Sequence, residues 1–118
     1  MKYMLLIHQG ETPTPGSPEW DSLSAEEQQA VYADYQAVNQ TPGVTPGEWM
    51  QPPEAATTVR VQDGNTLTTD GPFVAIKEAL GGYLFLEADD LDAAIELASR
   101  IPAARLGGAV EVRPIVEQ

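Results

Sequence analysis

Two short stretches of this chain are apolar on both faces of a strand, and no other feature narrows the fold as much. Residues 2–8, KYMLLIH, put Tyr3, Leu5 and Ile7 on one side and Met4 and Leu6 on the other. Residues 80–88, LGGYLFLEA, set Leu84 and Leu86 against Tyr83 and Phe85 in the same way. Strands of this kind belong at the centre of a sheet, covered on both sides. The remaining strand candidates are half-polar. Residues 55–62, AATTVRVQ, set Thr57, Val59 and Val61 against Thr58, Arg60 and Gln62. Asp63-Gly64-Asn65 is a hairpin signal, so residues 66–69 return alongside. Residues 109–116, AVEVRPIV, set Val110 and Val112 against Glu111 and Arg113, and Pro114 suits an edge.

Two helices separate these strands. Ser24-Ala25-Glu26-Glu27 has capping-box spacing and predicts a helix to about Asn39, with Val31, Tyr35 and Val38 as its apolar stripe. Thr41-Pro42-Gly43 stops it. A second helix follows Asp89 as N-cap. Its stripe is Leu91, Ala94, Ile95, Ala98 and Ile101, and Pro102 ends it. Residues 10–19, with three prolines and two glycines, read as a loop. Residues 41–54, with two Thr-Pro-Gly steps, read as a loop or an extended arm pinned by Trp49 and Met50.

The order is strand, helix, strand with a hairpin extension, strand, helix, strand. This predicts one α+β domain over residues 1–118: a ferredoxin-like βαββαβ fold, an antiparallel sheet with both helices on one face. The expected core is Leu5, Ile7, Val59, Leu84, Leu86, Ala94, Ile95, Ala98 and Val112. Two helices leave the other sheet face bare, with Met, Leu and aromatic side chains on it. A bare apolar face of that size is costly. The expectation is a homodimer in which two such sheets meet, or a small-molecule pocket over the open face.

Composition removes whole classes of chemistry. The chain has no cysteine, which excludes disulfide scaffolds, thiol catalysis and iron–sulfur clusters. His8 is the single histidine, so no two-histidine metal site forms within one chain, and neither metal nor cofactor is expected. Six basic residues against eighteen acidic ones give a net charge of −12, a poor match to nucleic-acid phosphates or anionic lipid. The apolar run Tyr3 to Ile7 is too short for an export signal or a membrane span, so a cytoplasmic location is expected.

Several motifs resemble the DGPF-domain branch of the YCII-related proteins. They are Asp70-Gly71-Pro72-Phe73, Lys77-Glu78, Gly81-Gly82-Tyr83, the opening Met1–Ile7, Ala56–Val61, Ala93-Ala94 and Glu111–Pro114. The resemblance covers nearly the whole chain and is weakest over 9–47. The family motif in full reads DGPFAETKE; here Val74, Ala75 and Ile76 replace Ala, Glu and Thr. His8 stands where the opening strand often carries Tyr. The resemblance implies a dimeric α+β barrel. It implies two kinds of function: chemistry from a His–Asp pair in a cleft, or a regulatory association with extracytoplasmic-function sigma factors.

The candidate site residues each carry two readings. Asp70 either bonds the backbone of its own turn or acts as acid or base at a cavity. His8 either caps a strand or, with Asp70 or another carboxylate, forms a general-base dyad. Lys77 and Glu78 are a solvated pair, or Lys77 joins Arg60 and Arg113 in an anion-binding cluster. For the arginines the alternative is pairing with carboxylates, as Arg113 with Glu111. Tyr83, Phe85 and Trp49 line a ligand pocket or belong to a dimer core. Gly81-Gly82 marks a bulge or a close backbone approach. Two functions follow: a small-molecule enzyme or binding protein using His8 and Asp70 for catalysis and Arg60, Lys77, Glu78 and Tyr83 for ligand contacts, or a non-catalytic module with a sigma factor as partner.

Overall fold

The computed structural model describes residues 1–51, 53–71 and 80–117. Its elements run β1 (Lys2–His8), α1 (Pro18–Asp21), α2 (Ala25–Asn39), β2 (Val44–Trp49), β3 (Thr57–Gln62), β4 (Asn65–Asp70), β5 (Leu80–Glu87), α3 (Leu91–Ser99) and β6 (Ala109–Pro114). The main sheet has the order β2-β5-β1-β6, and every neighbouring pair is antiparallel. The two strands that are apolar on both sides are therefore the central pair, and the fold is the expected ferredoxin-like α+β arrangement.

Alternation in β1 and β5 sends one side into the core. Tyr3, Leu5, Ile7, Leu84 and Leu86 are buried under Val38 of α2 and under Ala94, Leu97, Ala98 and Ile101. Ser24 closes a full capping box with Glu27, which starts α2 at Ala25. No helix among the described residues is long and apolar enough to cross a membrane.

Four local expectations change. The edge strand beside β5 is Val44–Trp49, read above as a loop or arm; residues 57–62 do not occupy that place. Pro46 is tolerated there because an edge strand has one row of unpaired amide positions. The segments 57–62 and 65–70 instead form a separate two-stranded sheet, closed by a tight turn with positive φ at Asp63 and Gly64. Val59 thus leaves the core and is 61% exposed. In α3 the cap is Asp90, whose side chain accepts from the Ala93 N–H, one residue later than expected. The buried stripe is then Ala94, Leu97, Ala98 and Ile101, and Ile95 is half exposed. Finally, a short helix interrupts the expected loop at 10–19: Ser17 caps α1 and Trp20 is buried.

Candidate functional site

The C-terminal ends of β1 and β2 and the start of β5 meet at one end of the main sheet, where His8 is opposite Leu80 and Trp49 opposite Gly82. Side chains of connecting segments gather at such an end. Here they line an open cavity of about 1150 Å³, large enough for a small organic ligand, at the end of the sheet and not over its open face as expected. The 9–15 loop, α1, α2, the segment after β2 and the base of the β3–β4 hairpin supply its walls.

Four aromatic residues dominate the lining, in two edge-to-face pairs. Trp20 meets Tyr32 with ring centroids 5.4 Å apart, and Tyr35 meets Trp49 at 4.9 Å. The Trp20 main chain is fixed locally: its backbone N–H donates to Ser17 Oγ at 3.1 Å, and its carbonyl accepts from Gln28 Nε2 at 3.0 Å. Burial pushes the Tyr35 phenol up to about 12, with the Gln9 side chain and the Arg105 charge opposing weakly. Tyr35 is therefore a neutral hydroxyl at physiological pH.

The polar lining is sparse and under-satisfied. Thr12 Oγ1 is buried without a hydrogen-bond partner, and the buried Gln9 Nε2 makes only a loose approach to the Tyr35 phenol oxygen. Buried polar atoms without partners are rare and call for an explanation. Gly81 explains how Gln9 reaches its position, because any side chain at 81 would collide with it. The β1–β5 register also shifts here, passing from Ile7 opposite Gly82 to His8 opposite Leu80. Both readings of the Gly-Gly step, bulge and close approach, therefore hold.

The expected site residues are spread over three regions. Asp70, at the end of β4, lines the cavity. Its carboxylate makes no hydrogen bond or ion pair among the described residues. Pro72, two residues on, has no N–H for it to bond. His8 is on the sheet face opposite the helices, where Nε2 lies 3.3 Å from Glu111 Oε1. Glu111 also accepts from Arg113, as expected for that pair; Arg113 first and His8 second hold its carboxyl below the usual range. Tyr83 stands on the same face, edge-on to Phe85 at 5.9 Å. Arg60 is in the hairpin sheet opposite Leu67, apart from Arg113 on β6. Lys77 and Glu78 lie outside the described residues. One chain thus places Asp70 at the cavity and His8 on a different surface, with Glu111 as the histidine's carboxylate.

Asp70 and Gly71, the first two residues of the Asp70-Gly71-Pro72-Phe73 motif, both line the cavity. The YCII-related domain matches residues 1–118. The chain belongs to the YCII-related family. It is 32% identical over 120 residues to an uncharacterized protein of Rhizobium meliloti (strain 1021), an overlap covering 98% of this chain and 92% of that one. In this YCII-related chain, reading residues one by one misses Gln9, Thr12, Trp20 and Tyr32. One signal was available for the first two: they directly follow a central strand, at the end where loops converge. Trp20 was detectable as a large apolar side chain in an otherwise polar stretch.

Proposed function

We propose that this YCII-related protein is a cytoplasmic homodimer that binds a small organic molecule in the cavity at the end of its sheet. The observation that carries the reading is a pair of buried, under-satisfied donors, Thr12 Oγ1 without a partner and Gln9 Nε2 with only the Tyr35 phenol beside it, in a cavity whose lining also holds four aromatic rings. A ligand oxygen there would satisfy groups whose burial otherwise costs about 1–3 kcal/mol each. Asp70 and Glu54 are the charged groups among the described lining residues, and Asp70 contacts the ligand. The bare sheet face, with Met4, Leu6, Tyr83 and Phe85, meets the same face of a second copy. That contact would also enclose the His8–Glu111 pair.

The test uses the chain's two tryptophans, Trp20 and Trp49, which both line the cavity. A panel of small aromatic and aliphatic compounds, neutral, anionic and cationic, is screened by tryptophan emission and melting temperature. At least one compound should bind, and Gln9→Leu should weaken it about tenfold. A panel without a single Gln9-dependent binder would end this reading. Light scattering should give twice the monomer mass.

The hairpin favours a second reading. Val59 and Val61 are 61% and 67% exposed on it, side by side on one face. An interaction module serving an extracytoplasmic-function sigma factor would use such a surface. Co-purification of the sigma factor with the wild type and not with a Val59→Ser/Val61→Ser variant would favour this reading.

A further inference from the structure

From the chemistry of the cavity wall we infer the class of ligand: an organic ammonium, alkylated or quaternary, on an apolar body that also carries an oxygen acceptor. The inference rests on the small-molecule reading above and sharpens it. Trp20, Tyr32, Tyr35 and Trp49 all line the space, in two edge-to-face pairs. Aromatic rings attract cations through their quadrupole, and Trp and Tyr do so best. Two carboxylates, Asp70 and Glu54, stand on the same wall, and none of the described lining residues is basic. The protein as a whole carries −12, which concentrates cations near it.

Each part of the wall selects one part of the ligand. The rings take an alkylated ammonium more readily than a bare one, because alkyl groups lower its hydration. Asp70 and Glu54 neutralise the charge without needing a direct hydrogen bond, which a quaternary centre does not offer. Gln9 Nε2 and Thr12 Oγ1 donate to an ester, ether or hydroxyl oxygen elsewhere on the molecule. Tyr35 keeps its proton, so it adds a polar hydroxyl without a second positive or a competing negative charge.

The test compares two esters of one shape. Benzoylcholine carries the quaternary nitrogen; 3,3-dimethylbutyl benzoate has carbon in its place and no charge. Binding to the full-length protein is followed by tryptophan emission and by calorimetry. Benzoylcholine should bind at least about tenfold tighter than the neutral ester. Asp70→Asn should cut that preference to about threefold or less, with benzoylcholine weakened more than the neutral ester. Trp49→Leu should weaken benzoylcholine more than the neutral ester. Equal affinities for the two esters, both sensitive to Gln9→Leu, would overturn the ammonium assignment and leave the small-molecule cavity standing. So would failure of both esters at millimolar concentration when another member of the panel binds through Gln9. Binding of benzoylcholine that is indifferent to both Asp70→Asn and Trp49→Leu would place it elsewhere and also overturn the assignment. If the whole panel fails, the cavity reading falls with it.

Discussion

The four-stranded sheet and the β3–β4 hairpin are written in the same alternating code, yet their apolar side chains end in opposite environments. Leu5 in β1 is 0% exposed, whereas Val59 and Val61 in β3 are 61% and 67% exposed. Alternation specifies a strand with two chemically different faces. It does not specify that a second layer will cover the apolar one. In the main sheet α2 and α3 supply that layer. Among the described residues the hairpin is a two-stranded sheet with no helix packed on it, the arrangement that is least stable alone in water. The radius of gyration, 16.1 Å, exceeds the roughly 13.5 Å of a compact chain this long, as a projecting hairpin requires.

The sharpest way to test the contrast is to delete matched volumes from the two regions. Leu5→Ala empties the centre of the core and should cost about 2–5 kcal/mol, read as a lowered urea midpoint with cooperative loss of the whole domain. A cost near zero would mean that the central strand does not organise the fold. Gly47→Ala addresses the edge of the same sheet. A methyl group there collides with the carbonyl oxygen and ring of Tyr83, which should cost about 1–3 kcal/mol. If Gly47→Ala were silent, β2 would belong with the hairpin as a loosely held segment.

Gly47 also shows why part of the fold was hidden from the sequence. β1, β5, α2 and β6 were legible because their apolar spacing and caps agree with one another. β2 was not, since Pro46 and Gly47 are breakers in isolation. They are acceptable only on an edge, and being on an edge is a tertiary fact. Val59 was misplaced for the converse reason: a good local strand pattern has no information about what lies above it. At the site, Asp70 was legible from its turn and does line the cavity. Alternation puts His8 and Glu111 each on one face of its own strand, but that the two meet, and that Glu111 and not Asp70 is the carboxylate, required the β1–β6 register. Gln9 and Thr12 are ordinary loop residues until the fold buries them.

Tyr35 stands between the two regions, packed against the core from α2 and facing the cavity beside the hairpin base. Its phenol rises from 10.0 to about 12 through burial, so folding favours the neutral form. The folded state then binds the proton more tightly than the unfolded state. This contribution is complete below the unfolded value near pH 10 and is lost as pH rises through about 12. Tyr35→Phe removes the titrating group, so its stability should fall less than that of the wild type between pH 10 and 12. Urea titrations across that range measure the difference. Parallel decline in both proteins would show that the cavity wall is hydrated and the phenol is not buried there.

The smallest effect expected is the one that decides whether the hairpin really stands apart. Val59→Ser/Val61→Ser replaces two exposed side chains on one face, where their cross-strand partners are Thr68 and Thr66. In a free hairpin the change removes little buried area. The global urea midpoint should move by no more than about 0.5 kcal/mol in stability. Local β-propensity falls, so amides in β3 and β4 should exchange faster while those of β1 and β5 keep their protection. That dissociation between local and global readouts is the signature of a segment folded beside the core instead of within it. A loss above about 1 kcal/mol that shrinks on dilution would reverse the assignment. The valines would then be covered by another molecule, and the hairpin would have its second layer after all, supplied from outside the chain.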